Sequence, residues 1–387
     1  MSNAIATQPR TPFDGAYHLS IGGKLVSSEN TFDVINPATG APVARAPAAS
    51  IGQLDDAIAA ARTAFKSWSA LGHDERQRYL DAYADALAMH RDELARLLVL
   101  EQGKPLKSMA EPEVDQAIAW IRQIAARRIP VEIVEETDHH VVELHHTPLG
   151  VIGAITPWNF PVLLALWKVA PALITGNTMV IKPSPFTPLT SLRFGEIAQS
   201  VLPPGVLSVV SGNDELGPHM TAHPDIAKIS FTGSTATGKH VIRSAAGTMK
   251  RVTLELGGND AAIVMPDADW EAIVPQLFWG AVGNSGQWCV GIKRLYVHRS
   301  FHARFVDAFV AYARRQKLGN GLDPDVTVGP VQNRMQFEKV KAILDDIRAR
   351  GYKVVLGGEV DIDRPGYFIP VTVVDNPPED SLIVREE

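Results

Sequence analysis

The chain is 387 residues long, more than one ordinary hydrophobic core organises, so two or three domains are expected. Its 45% hydrophobic and 21% charged residues match a soluble globular protein and exclude a disordered or fibrous one. The 37 basic and 43 acidic side chains are interspersed and leave a net charge of −6, so no basic stripe offers itself to nucleic acid.

In chain order, Met1 to Gly23 shows neither an apolar signal core nor a small-residue cleavage site. Ser50 has the character of an N-cap, and Leu54, Ala57, Ile58, Ala61 and Phe65 then recur at helical spacing. A second helix spans about His73–Met89, with Tyr79, Leu80, Tyr83 and Leu87 on one side. A third covers about Asp92–Glu101 and stops at Gly103, and a fourth runs from about Pro112 to Arg127. The character then changes. Val131, Ile133 and Val134, and after them Val141, Val142 and Leu144, flank a polar turn at Glu135–His140, which reads as a hairpin arm over 128–147. The arm carries His139, His140, His145 and His146. No carboxylate or thiol stands at tight ligand spacing beside them, so a solvated or subunit-contacting hairpin is expected and no metal site.

From Gly150 onward strands and helices alternate. Strands are expected at Val151–Ile155, Thr178–Lys182, Val206–Val210, Ile226–Thr232 and Arg251–Leu256, with helices at Val162–Ile174 and Leu189–Val201. Repeated βαβ units imply a parallel sheet covered on both faces, with ligands at the carboxyl ends of its strands. The most apolar stretch, Pro161–Ile174, is too short to cross a bilayer and contains Lys168 and Pro171, so no membrane partner is expected. A second α/β unit begins near Gly257, with strands at Ala261–Val264, Arg294–His298 and Val354–Leu356 and helices at about Phe301–Gln316 and Met335–Arg350. Ser381–Val384 looks like the start of a further element.

Five places carry chemistry. Gly233 to His240 comes within one residue of a nucleoside-triphosphate loop, but His240 stands where the magnesium-binding hydroxyl would be, which argues against an NTPase. Following a strand and opening a helix, the loop still suits a dinucleotide pyrophosphate; it is also what a plain turn needs for close packing. Asn159, between two prolines at a strand end, is a neutral donor able to hold an oxyanion, or simply a turn asparagine. Lys182 ends the next strand and could meet ribose hydroxyls or solvent. Glu255, between an apolar strand and two glycines, is expected to be partly desolvated and so raised toward use as a base, with a paired structural glutamate as the alternative. Cys289 is the sole cysteine, which excludes an intramolecular disulfide and suits a reducing cytoplasm. Gly286 beside it would let the sulfur approach a ligand, although lone cysteines are usually small buried hydrophobes.

The order and spacing of these segments resemble the aldehyde dehydrogenase superfamily over essentially the whole length. The matching segments are Ile155 to Pro161, Lys182 to Pro188, Phe231 to Gly238, Leu254 to Gly258, Gly286 to Cys289, Val328 to Pro330 with Asn333, and Arg385 to Glu387. The resemblance implies an α/β fold with a Rossmann-like NAD(P)-binding domain (1–127 and 148–255), an oligomerisation hairpin (128–147) and a catalytic domain (256–387), assembled as a homodimer or homotetramer. It implies that Cys289 attacks an aldehyde, that Asn159 and the Cys289 N–H hold the oxyanion, that Glu255 activates water against a thioester, and that Lys168 helps relay protons. For NAD it implies contacts from Ile155, Thr156, Pro157 and Trp158, from Lys182, Ser184 and Pro185, from Gly212, and from Phe231, Gly233, Ser234 and Gly238. Leu256, Gly257 and Glu387 complete that set. A glutamate at 255 implies release of a free acid rather than transfer to coenzyme A.

Two departures qualify the match. Pro185 stands where NAD-preferring members often carry a glutamate, which leaves NADP open. Family members continue beyond Glu387, so the catalytic domain reads as incomplete, with exposed strand edges, and a catalytically silent cofactor-binding or oligomer-forming relic is the competing expectation. Leu163, Trp167, Trp279 and Trp288 are expected either to line an apolar substrate tunnel or to be ordinary core.

Overall fold

The computed structural model describes residues 15–386; Glu387, expected at the nicotinamide ribose, lies outside the described residues. Ser50 caps the first helix, Ile51–Ala70, through a reciprocal pair of bonds. Its hydroxyl accepts from the Gln53 N–H (3.1 Å), and the Gln53 side chain accepts from the Ser50 N–H (3.0 Å). The buried stripe runs Leu54, Ala57, Ile58, Ala61, Ala64 and Trp68. Phe65, expected in that stripe, is only half-buried. The helix turns its face forward to Trp68, whose indole N–H donates to the Leu173 carbonyl (3.0 Å). Helices His73–Met89, Arg91–Gln102 and Glu111–Ala125 follow within two residues of expectation. A π-turn at Leu106–Ala110, which no sequence signal announced, joins the last two.

Seven strands form the main sheet, in the order Arg251–Glu255, Ile226–Thr232, Val151–Ile155, Thr178–Lys182, Leu207–Val209, Leu19–Ile21 and Lys24–Val26. The first five run parallel. The last two form an antiparallel hairpin, absent from the expected elements, that covers one edge. The chain enters the parallel part at Val151–Ile155, steps outward through Thr178–Lys182 to Leu207–Val209, then returns to the other side at Ile226–Thr232. The strand order therefore reverses between Val151–Ile155 and Ile226–Thr232, and ligands of such sheets bind in the crevice at that reversal. Every residue of Thr178–Lys182 is buried, which is why this strand reads as a continuous run without alternation.

A second, smaller core gathers Val264, Val274, Phe278, Phe301, Phe305 and Phe309. Over it lies a two-stranded parallel sheet, Asp260–Val264 with Ile292–Val297, on which Ile263 stays exposed. The helix Trp270–Val282, capped by Asp269, was not expected: it is apolar around most of its circumference, so no one-sided stripe marks it. Ser381–Val384 resolves into a one-turn helix, Leu382–Arg385. The hairpin arm pairs Glu132–Glu136 with Val141–Leu144, and all of its strand residues are exposed. His140 lies 3.3 Å from Glu135 and His145 lies 2.8 Å from Glu143. Among the described residues no helix is long and apolar enough to cross a membrane.

Gly103 ends its helix at φ +96°, and a Cβ there would stand 2.7 Å from both Pro37 and Pro330. Gly103→Ala should therefore cost at least about 1–2 kcal/mol from the left-handed backbone alone, read as a lowered urea midpoint with unchanged slope.

Candidate active site

Parallel pairing sets Ile155 beside Lys182, Phe231 beside Ile155 and Thr232 beside Glu255. The ladder continues one residue past the strands, for the Thr156 N–H donates to the Lys182 carbonyl (3.1 Å) and the Gly233 N–H to the Glu255 carbonyl (3.0 Å). Two loops then leave the sheet side by side at the reversal, Pro157–Asn159 and Gly233–Ser234. Ser234 caps the helix Thr235–Ala246, its hydroxyl accepting from the Thr237 N–H at 3.2 Å. Gly233 in the turn and Gly238 in the helix also serve packing: a Cβ on Gly233 would meet the Phe231 ring at 2.6 Å, and one on Gly238 would meet Leu256 at 2.8 Å.

The cysteine arrives on a strained turn. Asn284, Ser285 and Gly286 are consecutive left-handed residues, with φ of 51°, 58° and 75°. Two of them have side chains, and such a run persists only when its surroundings over-determine it. The Ser285 hydroxyl donates to the Gly329 carbonyl (2.8 Å) and the Lys293 ammonium to the Gly286 carbonyl (2.6 Å). The Gln287 side chain donates to the Asn284 carbonyl (2.9 Å) and accepts from the Gln332 N–H (2.8 Å). Asn159 joins the same loop: its Nδ2 donates to the Gln287 carbonyl (3.1 Å), while its own carbonyl accepts from Asn284 Nδ2 (3.1 Å). On the other side a Cβ on Gly258 would collide with the Cys289 carbonyl, so the glycine pair after Glu255 abuts the cysteine loop backbone to backbone.

A cavity of about 500 Å³ opens here. It brings together Pro157, Trp158, Asn159, Gly233, Ser234, Leu256, Gly257 and half-buried Cys289. Glu386 also lines it. Ile155, Thr156, Lys168, Lys182, Ser184, Pro185, Gly212, Phe231, Gly238 and Glu255 lie outside its wall.

One expectation needs correction, and two questions left open are decided. Glu255 is exposed rather than partly desolvated, because the carboxyl end of its edge strand faces outward. Lys182 is buried, not solvated, and burial holds its ammonium below the usual lysine range against the opposing pull of Asp214. Of the four tunnel candidates only Trp288 lines the cavity. Leu163 is core, Trp279 donates to the Tyr312 hydroxyl (3.1 Å), and Trp167 packs on Trp120 with ring centroids 5.4 Å apart.

Lys168 donates to the Thr232 hydroxyl at 2.8 Å, and burial pushes it down to about 8, with the Glu255 charge opposing. Sequence reading passed over three buried charged groups behind the site, Glu101, Lys104 and Glu113, because nothing local distinguishes them from solvated residues. It also passed over a trio on the far helices. Asp55 accepts from His219 at 2.6 Å and lies 3.5 Å from His223. The His223 Nδ1 accepts the Asp225 N–H (3.1 Å), which keeps the imidazole proton on Nε2, facing Asp55. Within the trio the one hydrogen bond joins His219 to Asp55, and the His223 Nε2 faces the same carboxylate oxygen at 3.5 Å.

The model of the aldehyde dehydrogenase family matches residues 25–387. The chain belongs to that family. It is 43% identical over 372 residues to a Pseudomonas protein named "Probable aldehyde dehydrogenase", covering 96% of this chain and 76% of that one. It is 40% identical over 375 residues to the mitochondrial succinate-semialdehyde dehydrogenase of rice (Oryza sativa), covering 95% and 71%. The solved structure of the Bacillus cereus aldehyde dehydrogenase in complex with NAD+ superposes with a TM-score of 0.93 at 35% identity, over 97% of this chain and 78% of that one. The mixed α/β architecture is therefore that of aldehyde dehydrogenases.

The Lys168 environment has a stability consequence. Between about 8 and the ordinary lysine value of 10.5, the unfolded chain keeps a proton that the folded chain has lost. Stability from this group therefore rises with pH across that window. Lys168→Met should flatten that rise, measured as urea midpoints on a pH series.

Proposed function

We propose that this aldehyde dehydrogenase oxidises an aldehyde to the carboxylic acid with NAD, or NADP, and that Cys289 is the nucleophile and Glu255 the base. The observation that carries the reading is the shared cavity in which Cys289 and Asn159 face Gly233, Ser234 and Gly257. The Cys289 sulfur attacks the carbonyl carbon. The resulting oxyanion sits between Asn159 Nδ2 and the Cys289 N–H, where one such donor is worth ~10²–10³ in rate. The nicotinamide, when bound, supplies the acceptor for the two electrons that leave with the carbonyl hydrogen. A thioester to Cys289 remains. Glu255 takes a proton from water as its oxygen attacks that thioester, the thiolate leaves, and the free acid departs. Lys168, bonded to Thr232 within the field of Glu255, is suited to pass the proton on.

The residues fit a dinucleotide. Gly233 and Ser234 at the start of a helix suit a pyrophosphate. The buried Lys182 ammonium, with Ser184, suits ribose hydroxyls, and Trp158 and Leu256 flank the nicotinamide end. Ile155, Thr156, Pro157, Gly212, Phe231 and Gly238 shape the strand ends and turns around it. Pro185 puts no carboxylate against a 2′-phosphate, which admits NADP. Two separate hydrophobic cores support dividing the chain into a dinucleotide-binding part (1–127 with 148–255) and a catalytic part (256–387). The exposed apolar side chains of the 128–147 hairpin support a dimer or tetramer built through it. A sole cysteine that must stay a thiol fits a cytoplasmic setting.

Cys289→Ala should abolish reduced-nicotinamide formation across an aldehyde panel. Glu255→Gln should keep a first burst while steady turnover falls by ~10²–10⁴. Dinucleotide binding without any aldehyde-dependent reduction by the parent chain would overturn the proposal.

A further inference from the structure

Lys104 and Glu113 have fully buried side chains and form an ion pair with each other. Neither touches the cavity. A buried pair of this kind is no more stabilising than well-packed apolar residues would be, so its placement asks for another account. Its other contacts supply one. The Lys104 ammonium donates to the Asn159 carbonyl at 2.9 Å and sits 3.8 Å from the centroid of the Phe160 ring. The second carboxylate oxygen of Glu113 accepts the N–H groups of Val162 (3.0 Å) and Leu163 (3.2 Å). Those amides open the helix Pro161–Ile174, whose own N-cap residue, Phe160, provides no side-chain bond. The pair therefore grips the turn from both ends, at the carbonyl of 159 and the amides of 162 and 163.

Between these grips the Asn159 side chain has little freedom. Its Oδ1 accepts the Phe160 N–H (3.0 Å), which leaves Nδ2 aimed at the cysteine loop, two residues before Cys289. We propose that Lys104 and Glu113 are positioning residues that aim the Asn159 amide at the oxyanion formed on Cys289. This rests on Asn159 being the oxyanion donor, as argued above.

The test needs neither cofactor nor a known aldehyde. p-Nitrophenyl acetate acylates a reactive thiol directly: sulfur bonds to the acetyl carbon through an oxyanion, the ester C–O bond breaks, and p-nitrophenolate leaves. Iodoacetamide alkylates the same sulfur by displacing iodide, with no oxyanion. The variant Lys104→Met/Glu113→Gln removes both charges and leaves an amide oxygen to accept the helix amides. It should slow the p-nitrophenolate burst ~10-fold or more, toward the ~10²–10³ expected for a lost oxyanion donor, with alkylation within about twofold of the parent. In an Asn159→Ala background the same pair of changes should slow the burst no further. Equal slowing of burst and alkylation, or equal slowing in both backgrounds, would show a merely structural pair and overturn the proposal, as would an unchanged burst. If Asn159→Ala itself leaves the burst intact, the oxyanion role of Asn159 fails, and this proposal with it. Should circular dichroism show Lys104→Met/Glu113→Gln unfolded, the amide pair Lys104→Gln/Glu113→Gln takes its place, since its shorter side chain at 104 cannot reach the Asn159 carbonyl as the lysine does, and the same outcomes decide.

Discussion

Parallel pairing of Thr232 with Glu255 and of Ile155 with Lys182 is the constraint on which the site depends. Side chains alternate faces along a strand, so a slip of one residue would carry Glu255 to the opposite face and take Thr232 away from Lys168. The register of Ile155 with Lys182 is held because both faces of their two strands are covered: Val151, Ile152, Ala154, Met179, Val180 and Ile181 are all buried, whereas the edge strand Arg251–Glu255 is only half-buried and rests on its pairing with Ile226–Thr232. A sheet that is apolar on both sides admits polar chemistry only where its strands end. The carboxyl edge is where the two loops emerge, and the reversal of strand order keeps a crevice open between them.

Behind that edge, one short stretch of chain ties the crossover helices to the site. Glu101 accepts the N–H groups of Leu189 (2.7 Å) and Thr190 (2.9 Å), at the start of the helix Leu189–Gln199. Glu113 does the same for Pro161–Ile174. Neither helix has a side-chain cap of its own, so each takes its cap from residues 101–113. Burial pushes the Glu101 carboxyl up to about 7 even though three donors favour its charged form. Gln332 extends the network to the second half of the molecule, bonding the Glu101 and Phe186 carbonyls through its side chain and Gln287 through its backbone N–H. The cysteine loop and Asn159 are thereby fixed to one buried polar frame.

Much of this could be read from the residues. Helices with one apolar stripe, such as His73–Met89, announced themselves by period, and Gly103 marked a helix end because its backbone is left-handed. The positions proposed to carry chemistry stood out by order and spacing around Asn159, Gly233, Glu255 and Cys289. What stayed hidden was set by distant partners. Lys182 and a solvated lysine look alike in sequence, because burial depends on which loops pack over a strand end. The left-handed run Asn284–Gly286 is imposed by Gly329, Lys293 and Gln332, which no local propensity encodes. The caps at 101 and 113 act across 88 and 49 residues of chain, so no capping pattern reveals them.

Gly258 and the Cys289 carbonyl touch with no side chain between them. Main chain against main chain leaves nothing there to rotate or repack. A side chain grown at 258 would have to push the Cys289 carbonyl aside, and the sulfur would move with its own backbone.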